Sequence, residues 1–225
     1  MRSELDSFNF LDFFQLGGFQ FNCKYSKLTE LEHFAKNNEE YDLEYNGSIP
    51  VKTAKWDTDF DQKENPPVIY KDILAYLLSS NLLRSYQNIY GNFSFIKLMM
   101  HETPKSYINT FHSHTYDGTH LHILVHLSAK NRTQKDGGLI ELAEVVDKEN
   151  VIFNPKDFYY SNPKYHKITL SSVVHTGLCT IINNINPYFR HQVTEVFSDL
   201  PRFTFMVALG YSSQVQSINR KIDHI

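Results

Sequence analysis

The sequence predicts a mainly β protein: an antiparallel sandwich or barrel with N-terminal helices packed on one outer face. Three observations lead there. From Asn92 onward, six or more short apolar segments follow one another with turn residues between them and few helical patterns. Before residue 90 the apolar residues recur instead with the helical period. The chain has 225 residues, 41% hydrophobic and 14% aromatic, which suits one sizeable core and not a disordered segment.

The elements follow in order. "FNFLDFFQLGGFQF" is rich in aromatic residues and reads first as core packing, then as a lid or a dimer contact. "KLTELEHFAKNNEEY" places Leu28, Leu31 and Phe34 on one helical face, and Asn37 and Asn38 end it. "VKTAKWDTDFDQKENPPV" is polar, carries a Pro-Pro pair and reads as loop. "VIYKDILAYLLSSNLLRSYQNIYG" reads as one helix with a broad apolar face from Ile73 to Leu78, stopped at Gly91. Then come the strand candidates "FSFIKLMM", "LHILVHL", "GLIELAEVV", "KITLSSVV", "GLCTIINN" and "RFTFMVALGY". Residues 1–90 are thus a helical support region, 91–211 the β core, and 212–225 a polar tail at the surface.

Formal net charge is −3, so no general attraction for nucleic acid or an acidic membrane surface is expected. No stretch approaches the roughly 20 apolar residues that span a bilayer. The opening "MRSELDSFNF" lacks the basic start and apolar run of a signal peptide. Two cysteines, Cys23 and Cys179, are too few for a disulfide framework. The expectation is a cytoplasmic protein. Oligomeric state is not legible.

The stretch "FHSHTYDGTHLHILVHLS" holds five of the eleven histidines. In a strand, residues two apart point the same way, so His120, His122, Leu124 and His126 line one face and Leu121, Ile123, Val125 and Leu127 the other. The apolar set needs a core; the histidine set needs water, partners or a polar cavity. His112 and His114 are also two apart, and an extended backbone there aims both imidazoles at one point, as a metal site requires. His33, His101, His166, His175 and His224 are read as structural.

Three signals follow downstream. "DGGLIEL" opens a strand with a Gly-Gly turn; His191 begins "HQVTEV"; Arg202 starts an apolar strand eleven residues later. The ordered set resembles the iron(II)- and 2-oxoglutarate-dependent oxygenases of the prolyl-hydroxylase pattern, which read HxD, an apolar strand, GGxLxL, HxV and RxS. It covers roughly residues 92–211. The resemblance implies a double-stranded β-helix (jelly roll) with the metal at its open end and Fe(II) and 2-oxoglutarate as cofactors. It also implies O2 as co-reactant and a small molecule or amino-acid side chain as substrate, with hydroxylation as the default outcome. It implies that His112 and His191 ligate the metal and that Arg202 binds the far carboxylate of 2-oxoglutarate through its planar fork. Thr204 shares the face of Arg202. His126 stands where relatives place a tyrosine near the cosubstrate, and His122 and His126 face into the barrel.

The sequence departs from the pattern in one place: it reads "HSH", with His114 in the position of the aspartate. Three readings stay open. The ligands are His112, His114 and His191; or Asp117 reaches in as the third ligand; or the third position is open, as in halogenating relatives. The i, i+2 geometry favours the first. Arg202 has a plainer alternative, a surface salt bridge with Asp199 or Glu195. Two other classes also fit parts of the pattern. One is a cupin-like three-histidine iron enzyme without 2-oxoglutarate, and the other is a jelly-roll binding module without a metal.

Overall fold

The computed structural model describes residues 13, 15–37, 41–46, 49–57, 66–114, 118–128, 132–146 and 163–211. The described elements run β1 (Gly18–Asn22), α1 (Leu28–Asn37), β2 (Asp42–Asn46), β3 (Ile49–Asp57), α2 (Val68–Leu78) and α3 (Asn81–Tyr90). They continue with β4 (Phe95–Thr103), β5 (Asn109–His112), β6 (Thr119–His126), β7 (Ile140–Val145), β8 (His166–Ser172), β9 (Leu178–Asn183), β10 (Phe189–Val193) and β11 (Arg202–Gly210).

Two antiparallel sheets form. The larger has the order β1-β9-β6-β11-β4-β3-β2 and the smaller β5-β10-β7-β8. Leu124, Leu178 and Ile182 of the larger sheet share an apolar cluster with Ile140, Leu142 and Val193 of the smaller, so the two pack face to face. On the other face of the larger sheet, Leu121, Ile123, Val125 and Leu127 share a second cluster with Tyr70, Ile73 and Leu77 of α2 and Leu82, Leu83 and Tyr86 of α3. Tyr70 is its hub: fully buried, its ring centroid lies 4.8 Å from Trp56, 4.9 Å from Phe205 and 5.3 Å from Phe34. Such aromatic pairs contribute about 0.5–1.5 kcal/mol each beyond the area they bury.

Four sequence expectations are corrected. The region expected to be helical also supplies β1, β2 and β3, which extend the larger sheet. The segment expected as loop from Val51 is β3 as far as Asp57, paired with β2 and β4. Exposed Lys52 and Lys55 make it look polar, while Val51, Thr53, Ala54 and Trp56 are buried. The single long helix is two: Ser79 ends α2, and the Ser80 hydroxyl caps α3 by accepting from the Leu83 amide at 3.4 Å. His120 does not share the face of His122 and His126. A register shift between Leu209 and Gly210 marks a bulge opposite it. His120 turns instead to α3, where its Nδ1 meets the Tyr86 hydroxyl at 2.6 Å.

Other expectations hold. Gly91 stops α3 with φ 84. Gly137 and Gly138 both take φ 64, and a Cβ on Gly137 would lie 1.9 Å from the Glu195 carbonyl oxygen, so the turn before β7 demands glycine. Phe13, Phe19 and Phe21 of the aromatic opening are buried in the helix-side cluster. Cys23 and Cys179 are free and buried. The tail 212–225 lies outside the described residues. No described helix is long and apolar enough to cross a membrane.

Candidate active site

Sheet register brings the histidines together. His191 on β10 lies directly opposite His112 on β5, with ring centroids 4.1 Å apart. His114, two residues past His112, sits 5.0 Å from His112 and 5.4 Å from His191. Ligand atoms of the three all lie within 4.8 Å of one another, and this group holds no carboxylate. Asp117 lies outside the described residues. His112 Nδ1 is 2.7 Å from the Thr110 carbonyl; the nitrogen donates there, which fixes the tautomer and presents the Nε2 lone pair. Burial, reinforced by His112, His114 and His122, holds His191 well below the ordinary histidine pKa. A neutral imidazole is the form that binds metal.

His122 belongs to this group as a fourth imidazole. Its ring lies 4.2 Å from His114 and 6.2 Å from His191, and it is buried with Nδ1 unpartnered. Burial also depresses its pKa far below the usual range, so it adds no positive charge.

Further along the same inner face stands Arg202, only 3% exposed. The surface salt bridge that competed for it does not form: Asp199 pairs with Lys105 at 2.9 Å, and Arg202 makes no ion pair among the described residues. Its Nε, the Thr204 hydroxyl and the Ser128 hydroxyl are buried without partners among the described residues. Burial pulls the guanidinium down to about 10, which leaves it charged at neutral pH. Thr204 pairs with His126 across β11 and β6. Arg202 Nη2 approaches His126 Nδ1 at 3.5 Å, the outer limit of a hydrogen bond, and His126 Nε2 lies 3.2 Å from the Thr180 hydroxyl. Guanidinium only donates, so Nδ1 accepts and Nε2 carries the proton. His126 therefore props Arg202 with both ring nitrogens engaged.

Three residues of this end escaped the sequence reading: Ser128, Thr180 and Arg132. Arg132 stands in the polar run "AKNRTQKDGG", whose composition reads as solvated loop, yet it is 8% exposed. Thr180 sits in the apolar strand "GLCTIINN", where one hydroxyl carries no signal.

No family model matches the sequence, and no curated protein matches it. Solved structures do match. A Pseudomonas putida prolyl-4-hydroxylase superposes with TM-score 0.59 at 11% identity, over 92% of this chain and 98% of that one. The non-heme alpha-ketoglutarate-dependent carbocyclase SnoK from nogalamycin biosynthesis gives TM-score 0.61 at 12% identity, over 98% and 93%. HygX from Streptomyces hygroscopicus, solved with nickel and 2-oxoglutarate bound, gives TM-score 0.56 at 12% identity, over 90% and 86%. The chain has the fold of the 2-oxoglutarate-dependent iron oxygenases. That oxygenase fold hosts a hydroxylase and a carbocyclase in these two neighbours alone, so the reaction of this chain has to be argued from its own residues.

Proposed function

We propose that this chain is a non-haem iron oxygenase that couples decarboxylation of 2-oxoglutarate to oxidation, by default hydroxylation, of a small molecule or an amino-acid side chain. One observation carries the reading. A cluster of imidazoles and a buried guanidinium without a carboxylate lie on one inner face, and a divalent cation and a diacid would answer both. The residues fit the two groups. His112, His114 and His191 are the metal ligands, supplying nitrogen donors suited to iron. Arg202 pairs with the far carboxylate of 2-oxoglutarate; the unpartnered Thr204 hydroxyl donates to it, and His126 holds the guanidinium in place.

Iron and 2-oxoglutarate, bound together, supply the oxidation of a substrate C–H bond by dioxygen with release of succinate and carbon dioxide. The chain supplies orientation and exclusion of water. Three neutral ligands leave the ion its full +2 charge, one unit more than a set with a carboxylate, and this strengthens its hold on the 2-oxo acid head. A cupin-like enzyme without 2-oxoglutarate gives no reason for a buried Arg202 with no ion pair among the described residues, and a metal-free binding module gives none for three converging imidazoles. Residues 91–211 are read as the oxygenase core, braced by the helices and strands of 1–90. The free, buried thiols accord with a cytoplasmic setting.

The test is an anaerobic titration with Fe(II) and then 2-oxoglutarate, watched for the metal-to-ligand charge-transfer band. The band is expected only when both are present, and aerobic turnover should then release succinate. Iron bound with neither band nor succinate would favour the cupin-like reading, and no iron bound would favour the binding module.

A further inference from the structure

Arg202 is not the only buried cation at its end of the site. Arg132, in the chain between β6 and β7, is 8% exposed. Its Nη2 donates to the Leu200 carbonyl oxygen, while its Nε and Nη1 are buried with no partner among the described residues. The two arginines converge on one glycine: a Cβ on Gly138 would meet Arg202 Cδ at 3.7 Å and Arg132 Nη1 at 3.8 Å. Neither forms an ion pair among the described residues. Asp136 acts on Arg132 through its charge alone; its Oδ2 accepts from the Thr133 amide at 2.6 Å and hydroxyl at 3.0 Å. Two neighbouring guanidiniums with three unpartnered N–H-bearing nitrogens between them are an unfavourable way to fill a core. They are a favourable way to hold an anion.

We propose that Arg132 is a second anion-binding residue of the cosubstrate pocket, so that the far end of the 2-oxo acid is read by two guanidiniums. This rests on the oxygenase reading above. It makes Arg132 a determinant of selectivity for 2-oxo acids that end in a second carboxylate.

The competing role is structural, a clamp on the Leu200 carbonyl that holds the chain ahead of β11. Selectivity separates the two. Dissociation constants for 2-oxoglutarate and for 2-oxopentanoate, which has a methyl group in place of the far carboxylate, are measured by anaerobic calorimetry on the Fe(II)-loaded protein. Arg132→Gln is expected to lower the ratio of the two affinities at least tenfold, through 2-oxoglutarate alone, and Arg132→Lys to recover part of it. If both affinities fall together, or neither changes, Arg132 is a clamp and the inference is overturned. If Arg202→Gln lowers the ratio and Arg132→Gln does not, the inference fails while the cosubstrate reading stands. Wild-type protein that binds neither acid overturns both. Arg132→Met, which keeps the length of the stem without the charge, gives the same comparison if the Gln variant does not fold.

Discussion

The two faces of β6 solve burial in opposite ways. Toward the helices, Leu121, Ile123, Val125 and Leu127 are 1% exposed or less and packed against apolar neighbours. Toward the smaller sheet, His122 and His126 are buried too but lie beside a cluster of imidazoles at one end and the buried Arg202 guanidinium at the other. The first face is complete as it stands. The second gathers nitrogen ligands at one end and a buried cationic side chain at the other. One strand thus separates the apolar core from the candidate site.

The largest effect should come from breaking the complete face. Val125→Asp would bury a carboxylate with no partner, and the loss should exceed about 4 kcal/mol. A variant that still melts within a few degrees of wild type would show the helix-side face to be less closed than its burial implies.

Next is Arg202→Ala. Removing one partner of a buried charged pair costs roughly 3–5 kcal/mol, so 2-oxoglutarate should bind roughly a hundredfold to several thousandfold more weakly. Iron affinity should stay within a few fold. Equal cosubstrate affinity in wild type and variant would remove the anion from the comparison.

A third effect sharpens the contrast by pH. Burial lowers His120 on the helix side from the ordinary 6.5 to about 4. Between those values the unfolded chain takes up a proton that the folded chain refuses. Stability from this group is therefore full above pH 6.5 and is lost as the pH falls toward 4, by up to about 3 kcal/mol. His120→Gln should make unfolding free energy less steep between pH 7 and pH 4.5. An unchanged slope in denaturant titrations at the two pH values would assign the acid sensitivity elsewhere.

The smallest expected effect is His126→Phe. It removes one weak prop from Arg202, worth about 1 kcal/mol, so 2-oxoglutarate affinity should drop roughly fivefold with the melting temperature little changed. A silent substitution would mean that Arg202 holds its place without help.

The core strands were legible because their alternation is strong and both faces have clear demands. The histidines and Arg202 were legible because they fall in a recognisable order along the chain. What was hidden has physical causes. Exposed lysines at 52 and 55 mask a strand buried through Val51, Ala54 and Trp56. Two serines inside an apolar helical pattern read as solvent-facing residues, whereas Ser80 starts a new helix. A bulge reverses the side on which His120 emerges, and no periodicity rule anticipates an extra residue. Arg132 was hidden because a charged residue in a polar run is ordinarily solvated, and only the tertiary fold shows what covers it.

The pairing of β5 with β10 has a consequence for the order in which the molecule comes apart. β5 is four residues long, lies at the edge of its sheet, and keeps two register pairs with β10, His112 with His191 and Asn109 with Val193. An ion gripped by His112 and His191 would tether positions 79 residues apart, 191 less 112, much as a covalent cross-link does. A short edge strand would then be fastened by the ion. Without iron, amide hydrogens at residues 109–112 should exchange early, well before those of β6 and β11. With iron they should slow more than any others in the chain.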